Sequence, residues 1–203
     1  MFSWGDSRTA FGDAAGWFVR TAALVGDRWD QPGIGEWDVR ALVGHTSRAL
    51  LTVETYLARP AAAVNVATAP DYYRATRATA ADPAVAARGR DAGTALGSDP
   101  AATVAQIAAR VQALVDAQDG TEVVTTIAGG MRLGDYVPTR TFELAVHTSD
   151  LATALGVPLD VPVTAAAQAL HIVADLAIKG GLAGPLLLAA TGRPGLPAGF
   201  SVL

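Results

Sequence analysis

"RTFELAVHTSDLATALG", residues 140–156, sets Glu143, His147 and Asp150 among aliphatic residues with no strand-like alternation, and ends on a glycine suited to a helix C-terminal cap. At about 100° per residue around an α-helix, Glu143 and His147 lie within ~40° of one another, with Asp150 about 20° to the other side of Glu143. The three share one stripe. Leu144, Leu151 and Leu155 flank it on one side and Phe142 and Val146 on the other, leaving Ala145, Ser149 and Ala152 for the far face. A solvated stripe sits opposite the apolar face of a helix, whereas this one sits within it. A buried, unpaired carboxylate costs on the order of several kcal/mol, so a hydrogen-bonded network, a partner cation or a metal ion must compensate.

A second stretch, "WDVRALVGHTSRALLTVETYL" at residues 37–57, gives a similar answer. Within about 80° of His45 lie Ala41, Leu42, Ala49, Thr52, Val53 and Tyr56, with Asp38 two turns earlier. Two helices far apart in sequence thus each carry a His on an apolar face, and one adds a Glu one turn away. A three-ligand site inside a helical bundle requires this arrangement. His45, Glu143 and His147 match the His2Glu set of catalytic zinc, which leaves a fourth position for water or substrate, although nickel or iron would accept the same ligands. Glu-x3-His alone is a weak signal, because such pairs are frequent as simple polar contacts on helices.

The 203 residues contain no cysteine, which excludes disulfides, thiolate metal sites and a cysteine nucleophile, and limits any metal site to carboxylates and His45, His147 and His171. A net charge of −4 without a Lys/Arg cluster speaks against nucleic-acid binding. The opening "MFSWGDSRTAFGDAAGWF" has acids where a secretory signal has bases, so a cytoplasmic location is expected. The mean hydropathy of +0.30 reflects alanines and a generous core. The most apolar stretch, "LAIKGGLAGPLLLAATG", is broken by Lys179, paired glycines and Pro185, so no membrane span is expected.

The wider pattern predicts an all-α, four-helix bundle with extra short helices and a small β-hairpin. Long helices are expected over 7–25, 37–58, 100–117 and 135–156, with one or two short helices around Pro83 and one or two more from 164 to 190. "DQPGIGEWD" reads as a turn. "TEVVTTIAGGMRLG" reads as the hairpin, with Gly129–Gly130 as its turn, and "TGRPGLPAGFSVL" as a closing loop with a last strand. One domain over 1–203 is expected, its residues 165–203 an extension packed on the bundle. His171 is read as a packed or surface residue, Tyr56 as core, and Trp37 as a staple or a residue at the cleft mouth. Tyr136 and Arg140, two turns and one turn before Glu143 on about the same face, are candidate pocket residues.

At these residues the sequence resembles a known family. "WDVRALVGHTSRAL", followed about a hundred residues later by "RTFELAVHTSDLATALG", is similar to the paired signature of DinB-like metalloproteins, in particular the mycothiol-dependent maleylpyruvate isomerase family. The specific parts are Trp37 with His45 eight positions on, and the Arg-x2-Glu-x3-His-x2-Asp run from Arg140 to Asp150. The likeness takes in "GMRLGDYVPTR" and the C-terminal "TGRPGLPAGFSVL" as well.

The resemblance implies a DinB-like bundle holding a divalent ion, zinc before nickel or iron, on His45, Glu143 and His147. It places Asp150 beside the metal for orientation or proton handling, against a plain salt bridge with an arginine such as Arg140. It also implies mycothiol as thiol cosubstrate and a small electrophile as partner. From their positions on the helices, Arg140 is assigned with Asp150 to catalysis, and Trp37 and Tyr136 to the binding pocket. The characterised isomerase type adds a cationic C-terminal residue for its dicarboxylate, and here Arg193 is the only arginine near the C-terminus. The expected function is therefore a thiol-dependent transferase or isomerase, acting as monomer or homodimer. A non-catalytic metal- or ligand-binding protein is the alternative, and a metal-free buried network the third reading.

Overall fold

The computed structural model describes residues 2–80, 82, 84–193 and 196–203. Pro83, the expected break between two short helices, lies outside them, as do Pro194 and Gly195 of the closing loop. Helix α1 (Trp4–Ala23) starts three residues before the expected boundary. Its cause is a capping box in which the Asp6 N–H donates to Ser3 Oγ at 3.1 Å and the Ser3 N–H to Asp6 Oδ2 at 3.0 Å. A 3-10 turn (Arg28–Asp30) leads to two very short antiparallel strands, β1 (Pro32–Ile34) and β2 (Trp37–Asp38), where only a turn was expected. Trp37 therefore precedes α2 (Val39–Leu57), whose N-cap is Asp38, its Oδ1 accepting from the Ala41 N–H at 2.7 Å.

Next come α3 (Ala69–Ala80), α4 (Ala84–Ala95) and α5 (Pro100–Asp116), the last with Asp99 as cap and Pro100 in its first turn. Strands β3 (Val123–Thr126) and β4 (Gly129–Arg132) form the expected hairpin, but its turn is Ile127–Ala128. Gly129 and Gly130 lie in β4 for a different reason. A Cβ on Gly130 would sit 2.0 Å from the Ala63 carbonyl oxygen, since the chain at 61–66 bonds along the hairpin through Ala61 N–H to Val123 O and Asn65 N–H to Gly130 O.

Helix α6 (Leu133–Leu155) ends at Gly156, in the left-handed conformation with φ 67°. It is followed by α7 (Val163–Lys179) and α8 (Ala183–Ala190). Residues 196–203 form no strand, contrary to the expectation for this stretch, and short runs broken by Pro197 and Gly199 explain why. No helix among the described residues is long and apolar enough to cross a membrane.

Helices α1, α2, α5 and α6 pack around one core containing Phe11, Phe18, Leu42, Leu50, Val111 and Leu144. This is the all-α bundle that the sequence pattern predicts, and it agrees with the DinB-like arrangement that the resemblance implies. Helix α6 is also covered on the face opposite the polar stripe. Its small far face is buried: Ala145, with Phe142, packs against Ala169, Ile172 and Leu176 of α7, while Val146 is exposed. Small side chains let a second helix approach this face.

Candidate metal centre

Helix α2 carries His45 and α6 carries Glu143 and His147, and the packing of the two helices brings the three side chains together. Each offers one ligand-type atom, and these atoms lie within 4.8 Å of one another. The His45 and His147 rings meet edge to face at 4.8 Å between centroids. His147 Nε2 is 3.3 Å from Glu143 Oε2, and His147 Nδ1 is 3.0 Å from Asp150 Oδ2. Asp150 therefore partners His147 and not Arg140, and it fixes which imidazole nitrogen faces the cluster.

His45 is held against Trp37, the ring centroids 4.4 Å apart, and its Nδ1 is buried with no hydrogen-bond partner among the described residues. Trp37 is itself fixed by Nε1–H donation to the Ala86 carbonyl at 3.0 Å. Helix α4 can come this close only because Gly89 has no Cβ, which would lie 2.6 Å from the Trp37 ring. Two imidazoles and a carboxylate whose ligand-type atoms converge in this way fit a divalent cation. Among the described residues the cluster has three protein members.

Electrostatics divide the three groups. Burial, reinforced by the neighbouring His147, lowers the His45 pKa to about 4. Burial alone would raise Glu143, but hydrogen bonds from His147 and Tyr73 and the nearby Arg140 charge outweigh it, giving a value of about 2. Burial likewise works against protonation of His147, and its contacts with Asp150 and Glu143 reverse the result to about 9. At neutral pH the cluster is thus a neutral His45 beside a protonated His147 and an ionised Glu143.

Around this cluster opens a cavity of about 600 Å³, with Trp37, Tyr73, Arg77, Ile127 and Arg140 on its walls. Arg140 is 8% exposed, its guanidinium 4.9 Å from the Tyr136 ring centroid and 5.3 Å from that of Tyr72, with Nε donating to Thr139 Oγ1 at 2.9 Å. Tyr136 does not line the cavity. It is fully buried, its hydroxyl donating to Thr52 Oγ1 at 2.9 Å, so it supports Arg140 from behind. Tyr56, expected in the core, is 7% exposed yet reaches the cavity wall. His171 lies apart on α7, half exposed and 3.6 Å from Asp175 Oδ2.

The profile described as the mycothiol maleylpyruvate isomerase N-terminal domain matches residues 14–152, more than half of the chain. The chain belongs to this family. No curated protein and no solved structure matches it. All three cluster residues and Asp150 fall inside the span matched to the isomerase family, and α7 and α8 fall beyond it. Family membership ties the chain to mycothiol-related chemistry and to a small-molecule substrate.

Sequence reasoning missed Tyr73, as well as Arg48, Arg77 and Arg88 on the cavity wall. The Tyr73 hydroxyl lies 2.9 Å from Glu143 Oε1 and 3.0 Å from the Thr139 carbonyl, and burial together with the Glu143 charge raises its pKa well above the usual tyrosine value. The only signal was the aromatic pair in "DYYRATR", and nothing in that stretch points to α6.

Proposed function

We propose that the chain is a metal-dependent enzyme that activates a low-molecular-weight thiol such as mycothiol for attack on a small electrophile, as a thiol-dependent transferase or isomerase. The observation that carries this reading is the convergence of His45, Glu143 and His147 within 4.8 Å at a cavity large enough for a small molecule. Two imidazoles and a carboxylate suit zinc first, with a coordination position left for an outside ligand. When bound, such an ion would lower the pKa of a thiol so that its thiolate is available at neutral pH. The thiol has to come from outside, because the chain has none.

The protein's own residues supply the rest. Asp150 accepts the His147 Nδ1 proton and so presents Nε2 to the cluster. Tyr73 holds Oε1 of Glu143 and leaves Oε2 directed at His147. Arg140 is held in place by Tyr72 and Tyr136, and Arg48, Arg77 and Arg88 line the cavity with it, Arg88 lying 3.7 Å from Asp82, while Glu143 is the one acidic side chain among the described lining residues. Such a wall favours an electrophile that carries a carboxylate.

The test is a thiol-consumption assay with mycothiol and a carboxylate-bearing electrophile. Turnover is expected from zinc-loaded protein and is expected to fall to background after chelation. Equal rates with and without the metal would contradict the proposal.

A further inference from the structure

Arg140 is a buried cation without an acidic partner. It is 8% exposed and reaches the cavity wall, yet it makes no ion pair among the described residues, whereas Arg8, Arg74, Arg88, Arg90 and Arg110 each make one. Glu143, one turn along α6, directs its oxygens to Tyr73 and His147 instead. The guanidinium contacts neutral groups: the Tyr136 and Tyr72 rings, at 4.9 and 5.3 Å, and Thr139 Oγ1, which accepts from Nε. An unpaired guanidinium held out of water is costly, and a carboxylate arriving from the cavity would compensate it through two parallel hydrogen bonds.

The mouth of the same cavity has a different character. Three of its described lining residues are exposed, Arg77, Ile127 and Leu203, and two of the three are aliphatic. Ile127 is 62% exposed in the turn of the β3–β4 hairpin, where glycine, asparagine and aspartate are favoured, so turn chemistry does not account for it. The tip that carries it is braced: the Ala128 N–H donates to Thr126 Oγ1 at 3.1 Å, and that hydroxyl donates to the Gly129 carbonyl at 2.7 Å. Leu203, 42% exposed, follows Val202, which packs against the cluster of Phe142 and Ile172 between α6 and α7. Half-buried Val85 of α4 adds to the apolar lining.

We propose that the electrophile is an amphipathic carboxylic acid, bound with its carboxylate on Arg140 and an aliphatic or aryl group against Ile127, Val85 and Leu203. This assignment rests on the reading of the cavity as the site of an enzyme acting on a small electrophile, and it narrows the substrate class. A cavity of about 600 Å³ has room for such a molecule. A short, wholly polar dicarboxylate would satisfy Arg140 and leave the aliphatic mouth without a partner.

Calorimetric titration of the full chain with inert carboxylates tests the assignment without turnover, so failure of the thiol reaction leaves its result standing. Affinity is expected to rise roughly fourfold per methylene from butanoate to hexanoate. At equal length, 1-hexanol should bind at least about tenfold more weakly than hexanoate, and hexanedioate should also bind more weakly because its second carboxylate meets the aliphatic mouth. Hexanoate binding should persist in the metal-free chain, which separates Arg140 from the ion as the anchor. Arg140→Met, which replaces an unpaired buried charge with an apolar side chain, should erase the preference for hexanoate over 1-hexanol without loss of helical content, and Arg140→Lys should retain part of it. Ile127→Asn, which suits the turn, should cut the gain per methylene below about twofold. Equal affinity for hexanoate and 1-hexanol, hexanedioate binding as tightly as hexanoate, hexanoate binding that vanishes with the metal, a preference that survives Arg140→Met, or an unchanged methylene gain in Ile127→Asn would each overturn the proposal.

Discussion

The 3.3 Å contact between His147 Nε2 and Glu143 Oε2 holds a proton between two groups proposed as ligands of one ion. Because the His147 pKa is raised from 6.5 to about 9, this contact stabilises the metal-free fold fully below about pH 6.5 and is lost as pH rises through about 9. His45 acts in the other direction. Lowered to about 4, it stays neutral in the fold while the unfolded chain takes up a proton, so stability declines as pH falls from 6.5 towards 4. Metal binding at neutral pH must displace the His147 proton. Calorimetry at pH 7.5 in buffers of different ionisation enthalpy should therefore report release of about one proton per zinc ion, and a release near zero would contradict the assignment of His147 as a ligand. Asp150 acts through His147 by holding its Nδ1–H. Asp150→Asn should weaken zinc affinity about 10- to 100-fold in a chelator competition; a change below about twofold would mean that the contact does not tune the site.

The elements that present these residues depend on close backbone approach as much as on hydrophobic pattern. A Cβ on Gly44 of α2 would lie 2.1 Å from the Gly93 nitrogen of α4, and one on Gly93 would lie 2.7 Å from the Arg40 carbonyl oxygen. Gly44→Ala should therefore separate α2 from α4 and destabilise the fold by about 2–3 kcal/mol in denaturant unfolding, with Trp37 and His45 displaced. A loss below about 0.5 kcal/mol would show that the approach is relaxed in solution. The long helices were legible because their stop signals are local: Asp99-Pro100 opens α5 and Gly156 closes α6. The glycines of α2, α4 and β4 were not, since the need for each is set by atoms distant in sequence. The same holds for α6, whose apparent far face became an interface because α7 lies across Ala145.

Across the whole molecule, the chemistry collects where α2 and α6 meet, and helices that the pattern left vague complete it. His45, Glu143 and His147 could be picked out because polar groups on apolar helix faces conflict with simple burial. Tyr73, Arg77 and Arg88 could not, because α3 and α4 are short and polar and their orientation depends on tertiary packing. In a protein of net charge −4, Arg48, Arg77, Arg88 and Arg140 all line one cavity, the feature on which the proposal of a carboxylate-bearing electrophile rests. The functional reading rests on two helices jointly holding one ion. The most direct test is a zinc titration of the metal-free chain beside its His45→Ala variant, with helical content followed by circular dichroism. One ion per chain is predicted for the unmodified protein, and an affinity at least about 100-fold lower for a variant that keeps its helices. Equal binding by both, or none by the unmodified chain, would contradict the account.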